Sequence, residues 1–207
     1  TFRFGADEEG SSFECALDEG GFEPCSSPAD YPDLTEGSHT FRVRATDHAG
    51  NTDASPATYT WTIDTTAPQT TIDSAPADPS ISSGAAFTFS SEAGAAFQCA
   101  LDSAGFTPCT SPADYPDLTE GSHTFRVRAT DQAVNTDATP ATYTWTVDTT
   151  APETTITDRP NDPTRNTSAS FGFAADEQGA SFECAVDEGG FEPCTSPADY
   201  PDQTDGA

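Results

Sequence analysis

The chain has 207 residues, 34% of them hydrophobic, and sets 35 acids against seven basic residues for a formal charge of −28. That balance excludes nucleic acid and anionic membrane surfaces as partners, since both are bound through basic faces, and no run of about 18 apolar residues is present to span a bilayer. All seven basic residues are arginines, so this stretch offers no lysine for Lys–Asn isopeptide crosslinks, sortase-type polymerisation, Schiff bases or phosphate loops.

The opening Thr1-Phe2-Arg3-Phe4 aligns with Ser170-Phe171-Gly172-Phe173, well inside a later copy of the same pattern. No signal peptide is read at the N-terminus. In SFECALD, Phe13, Cys15 and Leu17 fall on one face while Glu14, Ala16 and Asp18 fall on the other, which predicts a half-buried strand. A three-residue turn, Glu19-Gly20-Gly21, follows, with glycines suited to positive φ. Pro24 lacks an amide donor and predicts an edge strand or bulge. This hairpin brings Cys15 near Cys25, and the same pairing is expected for Cys99 with Cys109 and Cys184 with Cys194. Metal sites draw cysteines from tighter C-x(2–4)-C knuckles, and redox pairs want C-x-x-C at a helix start. A local disulfide fits best; free thiols and interchain links are the alternatives. Closing so short a loop is worth about 2.5–3 kcal/mol in the chain-entropy description, and disulfides point to an oxidising, extracellular setting.

Next, HTFRVRATD alternates His39, Phe41, Val43 and Ala45 with Thr40, Arg42 and Arg44, and TYTWTID alternates Tyr59, Trp61 and Ile63 with threonines. His39, and its copy His123, are in phase with the buried face, so each is expected to be a hydrogen-bonded structural residue. His48 is replaced by Gln132 in the second copy and carries no shared activity. Between these strands the loop DHAGNTD offers Asp47, Asn51 and Asp53, and DQAVNTD offers Asp131, Asn135 and Asp137. Oxygen ligands at such spacing suit Ca²⁺, with the linker acids Asp64 and Asp148 as further ligands. The competing reading is that Asp and Asn form turns here. Val134 in place of Gly50 speaks against a tight, EF-hand-like cage. Calcium is the one cofactor considered; no other is implied.

The chain then repeats itself. Cys15, Cys99 and Cys184 are 84 and 85 residues apart, and residues 15–68 and 99–152 differ at eight positions. Each copy closes on DTTAP, at Asp64 and Asp148, a turn followed by proline. The expected domains are 1–66 (lacking its first strand), 67–150 (complete) and 151–207 (lacking its last two). Two accounts of the broken ends stay open: a window cut from a longer array, or completion by strands of neighbouring chains. In the third copy Asn166-Thr167-Ser168 is a single glycosylation sequon. The 32 threonines otherwise reflect strand propensity.

The combination of FxC-x(9)-C with a Leu-x-x-Gly-x-His-x-Phe-x-Val-x-Ala strand and a closing Tyr-x-Trp-x-Ile/Val-Asp-Thr-Thr-Ala-Pro resembles tandem bacterial Ig-like (fibronectin-III-like) domains of secreted and cell-surface proteins. Leu34, Gly37, His39, Phe41, Val43 and Ala45 carry the resemblance in the first copy; Leu118, Gly121, His123, Phe125, Val127 and Ala129 carry it in the second. It implies an all-β chain of tandem β-sandwiches, about 84–85 residues each. The expected role is structural, a non-enzymatic stalk, fibre or filament on a microbial surface, packed against copies of itself or neighbouring repeats. The alternative is an adhesin module that binds a surface glycan or host receptor, with or without Ca²⁺. No nucleic-acid partner and no membrane insertion are expected.

Overall fold

The computed structural model describes residues 1–201, and among them contains sixteen strands and no helix. Chain packing forms two units: Thr1–Ala77 with Gly84–Pro116 and Ser122–Trp145, and Asp78–Ser83 with Asp117–Gly121 and the chain from Thr146 onward. The period-two runs become antiparallel strands because alternation places one apolar edge against a facing sheet.

In the first repeat, β1 (Ser12–Leu17), β2 (Glu23–Cys25), β3 (Gly37–Thr46) and β4 (Ala57–Ile63) form one sheet in the order β2-β1-β3-β4. Phe2 and Ala29 exchange backbone hydrogen bonds of 2.8 and 2.9 Å across the open face. This lays Phe2 on Phe41, with ring centroids 4.2 Å apart, and Phe4 edge-on to Phe13.

The second repeat shows the full two-sheet sandwich. Here β5 (Thr71–Ser74), β6 (Ala85–Ser90) and β9 (Ala113–Tyr115) form one sheet. Opposite lie β7 (Ala96–Leu101), β8 (Thr107–Cys109), β10 (Gly121–Thr130) and β11 (Ala141–Val147), in the order β11-β10-β7-β8. Phe87 stacks on Phe125 at 4.1 Å and meets Trp145 at 5.2 Å, all three virtually inaccessible to solvent. In the third repeat, β12 (Thr154–Asp158), β13 (Ala169–Ala175) and β16 (Ala198–Tyr200) face a two-stranded ribbon of β14 (Phe182–Cys184) and β15 (Glu192–Cys194). Phe173 and Phe182 bridge the layers at 4.9 Å. The all-β tandem sandwich expected from the sequence is the fold observed.

Two local expectations need correction. The hairpin turn takes its positive φ at Asp18 (53°), repeated at Asp102 and Asp187, and not at Gly20 or Gly21. Asp visits the left-handed region more readily than most residues, and here the neighbouring strand holds its carboxylate through Thr40 and His39. Ala16, on the supposedly outward face of β1, is as buried as Cys15. It lies opposite Arg42 in the ladder, whose guanidinium reaches over to the carbonyls of Asp18 and Gly20.

Candidate functional site

Each cysteine pair is a disulfide: Cys15–Cys25, Cys99–Cys109 and Cys184–Cys194, with Cα atoms 5.8, 5.7 and 5.8 Å apart. Asp18 ties the first stapled hairpin to β3. One carboxylate oxygen accepts the Thr40 amide at 2.7 Å, and the other accepts His39 Nδ1 at 2.9 Å. The second ring nitrogen donates to the Thr35 carbonyl at 2.8 Å. Two acceptors around one imidazole favour its protonated form, and the Thr35 carbonyl, then Asp18, hold its pKa above the ordinary value. The His39 and Thr40 bonds hold the Asp18 carboxyl below its usual range. The second repeat copies this: His123 Nδ1 lies 2.9 Å from Asp102, whose other oxygen accepts the Thr124 amide. Burial pushes Asp102 up, but these bonds outweigh it and the carboxyl ends low. On the outer face Arg42 and Arg44 stack over Phe22, and Arg126 and Arg128 over Phe106, at 4.2 to 5.4 Å.

The structure places the Asp/Asn loops at the turns joining β3 to β4 and β10 to β11. Asp47 closes its turn by accepting both the amide and the side-chain Nδ2 of Asn51, each at 2.8 Å, and Asp131 does the same with Asn135. Asp53 accepts from the amide and hydroxyl of Ser55. Asp137, 1% exposed, accepts from Thr139 with one oxygen and from the Thr70 amide with the other. Its pKa and that of Asp131 are lowered although burial opposes this, because these donors outweigh desolvation. The Asn51 and Ser55 donors lower Asp47 and Asp53. Among the described residues, no group of three or more His, Cys, Asp or Glu side chains is arranged to hold a metal ion.

The linker acids join these loops differently from the expectation. Asp64 contributes its backbone carbonyl, which accepts Asn135 Nδ2 at 3.0 Å, while its carboxylate caps Thr66. Asp148 caps Thr150, and its carboxylate, with those of Asp176 and Glu120, acts on Glu177. Burial, then those three neighbouring carboxylates, push Glu177 up. Glu36 and Glu120 fasten the linker threonines Thr65 and Thr149 through amide and hydroxyl.

Several positions were silent in the sequence. The hydroxyls of Ser27, Ser111 and Ser196 accept the amides of Phe4, Phe89 and Phe173, so the serine opening SPADYP anchors the facing strand in all three repeats. The repetition of SPADYP was the available signal. His48 and Gln132 are interchangeable because each lies over a glycine with φ of +84°, Gly10 or Gly94, where a Cβ would sit 2.5 Å from the side chain. Asn166 is exposed in the loop before β13. The loop carboxylates accept from neighbouring amides and hydroxyls, and both His39 nitrogens face acceptors.

Residues 28–91 match the family model described as Bacterial Ig-like domain (group 3). No curated protein matches the chain. Among solved structures, the chain is similar to one described as "Crystal structure of tetra-tandem repeat in extending region of large adhesion protein", at 18% identity and a TM-score of 0.33. That match covers 90% of this chain and 55% of the other, so the chain spans about half the length of that structure. Among the described residues, no helix is long and apolar enough to cross a membrane.

Proposed function

We propose that this chain is a non-enzymatic, extracellular structural array, divided at 1–66, 67–150 and 151–207, that serves as a spacer in a stalk or fibre on a bacterial surface. The observation that carries the reading is the threefold return of one stapled hairpin, Cys15–Cys25, Cys99–Cys109 and Cys184–Cys194, on a sandwich frame. A scaffold gains from copying a stabilising device in every unit, whereas a catalytic or binding site needs to be built only once. The disulfides fit an oxidising exterior, and the match over residues 28–91 to a bacterial Ig-like domain fits a surface protein. The acidic surface keeps parallel copies from clumping.

Electron microscopy of the native surface, with gold-labelled antibody to the SPADYP segment, tests this. Label recurring along a stalk or fibre is expected. Label confined to a tip, or to a soluble pool, would sink the spacer reading in favour of a binding module.

A further inference from the structure

One sheet differs in charge between repeats that are otherwise near copies. In the second repeat β7, β8, β10 and β11 carry two arginines, Arg126 and Arg128, and no acid, in a chain with 35 acids. The matching strands of the first repeat keep Arg42 and Arg44 but include Glu14 and Glu23, with Glu19 in the turn between them. The third repeat has Glu183, Glu188 and Glu192 at the same places. The second repeat alone replaces all three acids, by Gln98, Ser103 and Thr107.

The exchange of Glu14 for Gln98 acts directly on the arginines of the outer face. In the first repeat Glu14 neutralises Arg44, with Oε2 2.7 Å from Nη2 and 2.9 Å from Nε. In the second, Arg128 donates through the same Nε and Nη2 to the neutral Gln98 Oε1, at 3.0 and 2.8 Å, and keeps its charge uncompensated. Arg126 donates through Nη2 to the carbonyls of Asp102 and Ala104 at 2.9 and 3.2 Å, and both guanidinium groups lie over Phe106 at 4.3 to 5.4 Å. These contacts fix two cations side by side, and both Nη1 groups are left without a partner among the described residues. Because the guanidinium groups are already held, little rotamer freedom is lost when they take an anion. On the same face the hydroxyls of Thr124 and Thr144 meet at 3.1 Å, and Thr142 is exposed.

We infer that this face of the second repeat binds an otherwise neutral oligosaccharide that carries one carboxylated sugar. The carboxylate takes the free arginine donors in the planar geometry that suits a guanidinium, while the threonine hydroxyls and the Gln98 amide nitrogen suit sugar hydroxyls. A polyanion is a poorer fit, because the chain as a whole bears −28 and repels it. Lateral packing of a second copy is also disfavoured: it would call on the same face in every repeat, and the first and third carry acids there. The inference does not depend on the spacer role.

The test titrates sialyllactose, a neutral disaccharide capped by one carboxylated sugar, into the oxidised full chain and follows backbone and arginine Nε resonances by NMR. Saturable shifts are expected at Gln98, Arg126 and Arg128, weakening as salt is added, with none at Glu14, Arg42 and Arg44. Gln98→Glu copies the residue of the first repeat, and so leaves folding intact; it should weaken binding about two- to five-fold. Arg128→Gln should abolish it. Glu14→Gln with Glu19→Ser should confer the same response on the first repeat. No saturable shift, equal shifts with lactose or acetate, an unchanged affinity in Gln98→Glu, or a first repeat that stays silent after its two substitutions would each overturn the proposal.

Discussion

Strands β4 and β11 share the sequence Ala-Thr-Tyr-Thr-Trp-Thr and differ only at their last residue, yet their surroundings diverge. Trp145 is 1% exposed and Trp61 is half-buried; Tyr59 is 61% exposed, whereas the Tyr143 hydroxyl donates to the Pro76 carbonyl at 2.8 Å. The cause lies outside the strand. Near β11, the Thr146 amide donates to Asp78 and Val147 bridges Ser80. Burial is a property of what lies opposite a strand, and identical sequences acquire different energetic weight from it.

That contrast can be broken or sharpened by experiment. Trp145→Ala should cost the second repeat about 3–5 kcal/mol, as for a fully enclosed aromatic, while Trp61→Ala costs the first repeat clearly less. Hydrogen exchange resolved by repeat reads both, and equal losses would refute the contrast. The disulfides are the control, because they sit in matching hairpins. Replacing Cys15 with Cys25, or Cys99 with Cys109, by serine pairs should each cost about 2.5–3 kcal/mol in denaturant unfolding. Tyr143→Phe should lose about 1 kcal/mol, the net worth of one hydrogen bond, and Tyr59→Phe almost nothing, as thermal melts would show.

A smaller test concerns the loops. Val134 takes φ of +73° where the first repeat has Gly50 at +89°. Val134→Gly should therefore stabilise the second repeat by about 0.5–1 kcal/mol, and Gly50→Val should weaken the first. The subtlest is pH. The His39 pKa is raised by its bonds to Thr35 and Asp18. Its stabilising contribution is therefore complete below the unfolded value near 6.5 and fades as pH rises through the folded value. Unfolding midpoints of the native chain should fall relative to His39→Gln as pH rises above the unfolded value near 6.5. Parallel profiles would remove the imidazolium from the clamp.

The sequence disclosed the period, the strands and the hairpins, because each is signalled by residues close together in the chain. Cys15 and Cys25 are ten positions apart, and the alternation through Phe41 and Val43 needs only a local window. The clamp was not legible. Asp18 looks like any of 35 acids until β3 arrives beside it, 22 positions later, with Thr40 and His39. The same holds for Ser27, which reaches back 23 positions to Phe4, and for Ala16, hidden by an arginine from the neighbouring strand. The Asp/Asn loops were ambiguous for another reason: a carboxylate that closes a turn and one that binds a cation share a residue type, and the bonds from Asn51 to Asp47 and from Asn135 to Asp131 come into view only once the turn is built.

The staple has one more consequence. Ten peptide steps from Cys15 to Cys25 would extend to roughly 33–36 Å, but the disulfide holds those two Cα atoms 5.8 Å apart. If the ends of the chain were pulled until a repeat unravelled, that slack would never be released, and force would pass through the sulfur bridge instead of along the turn. Each oxidised repeat thus shortens the contour length available under tension by about the same increment, and a reducing environment would return it as added reach.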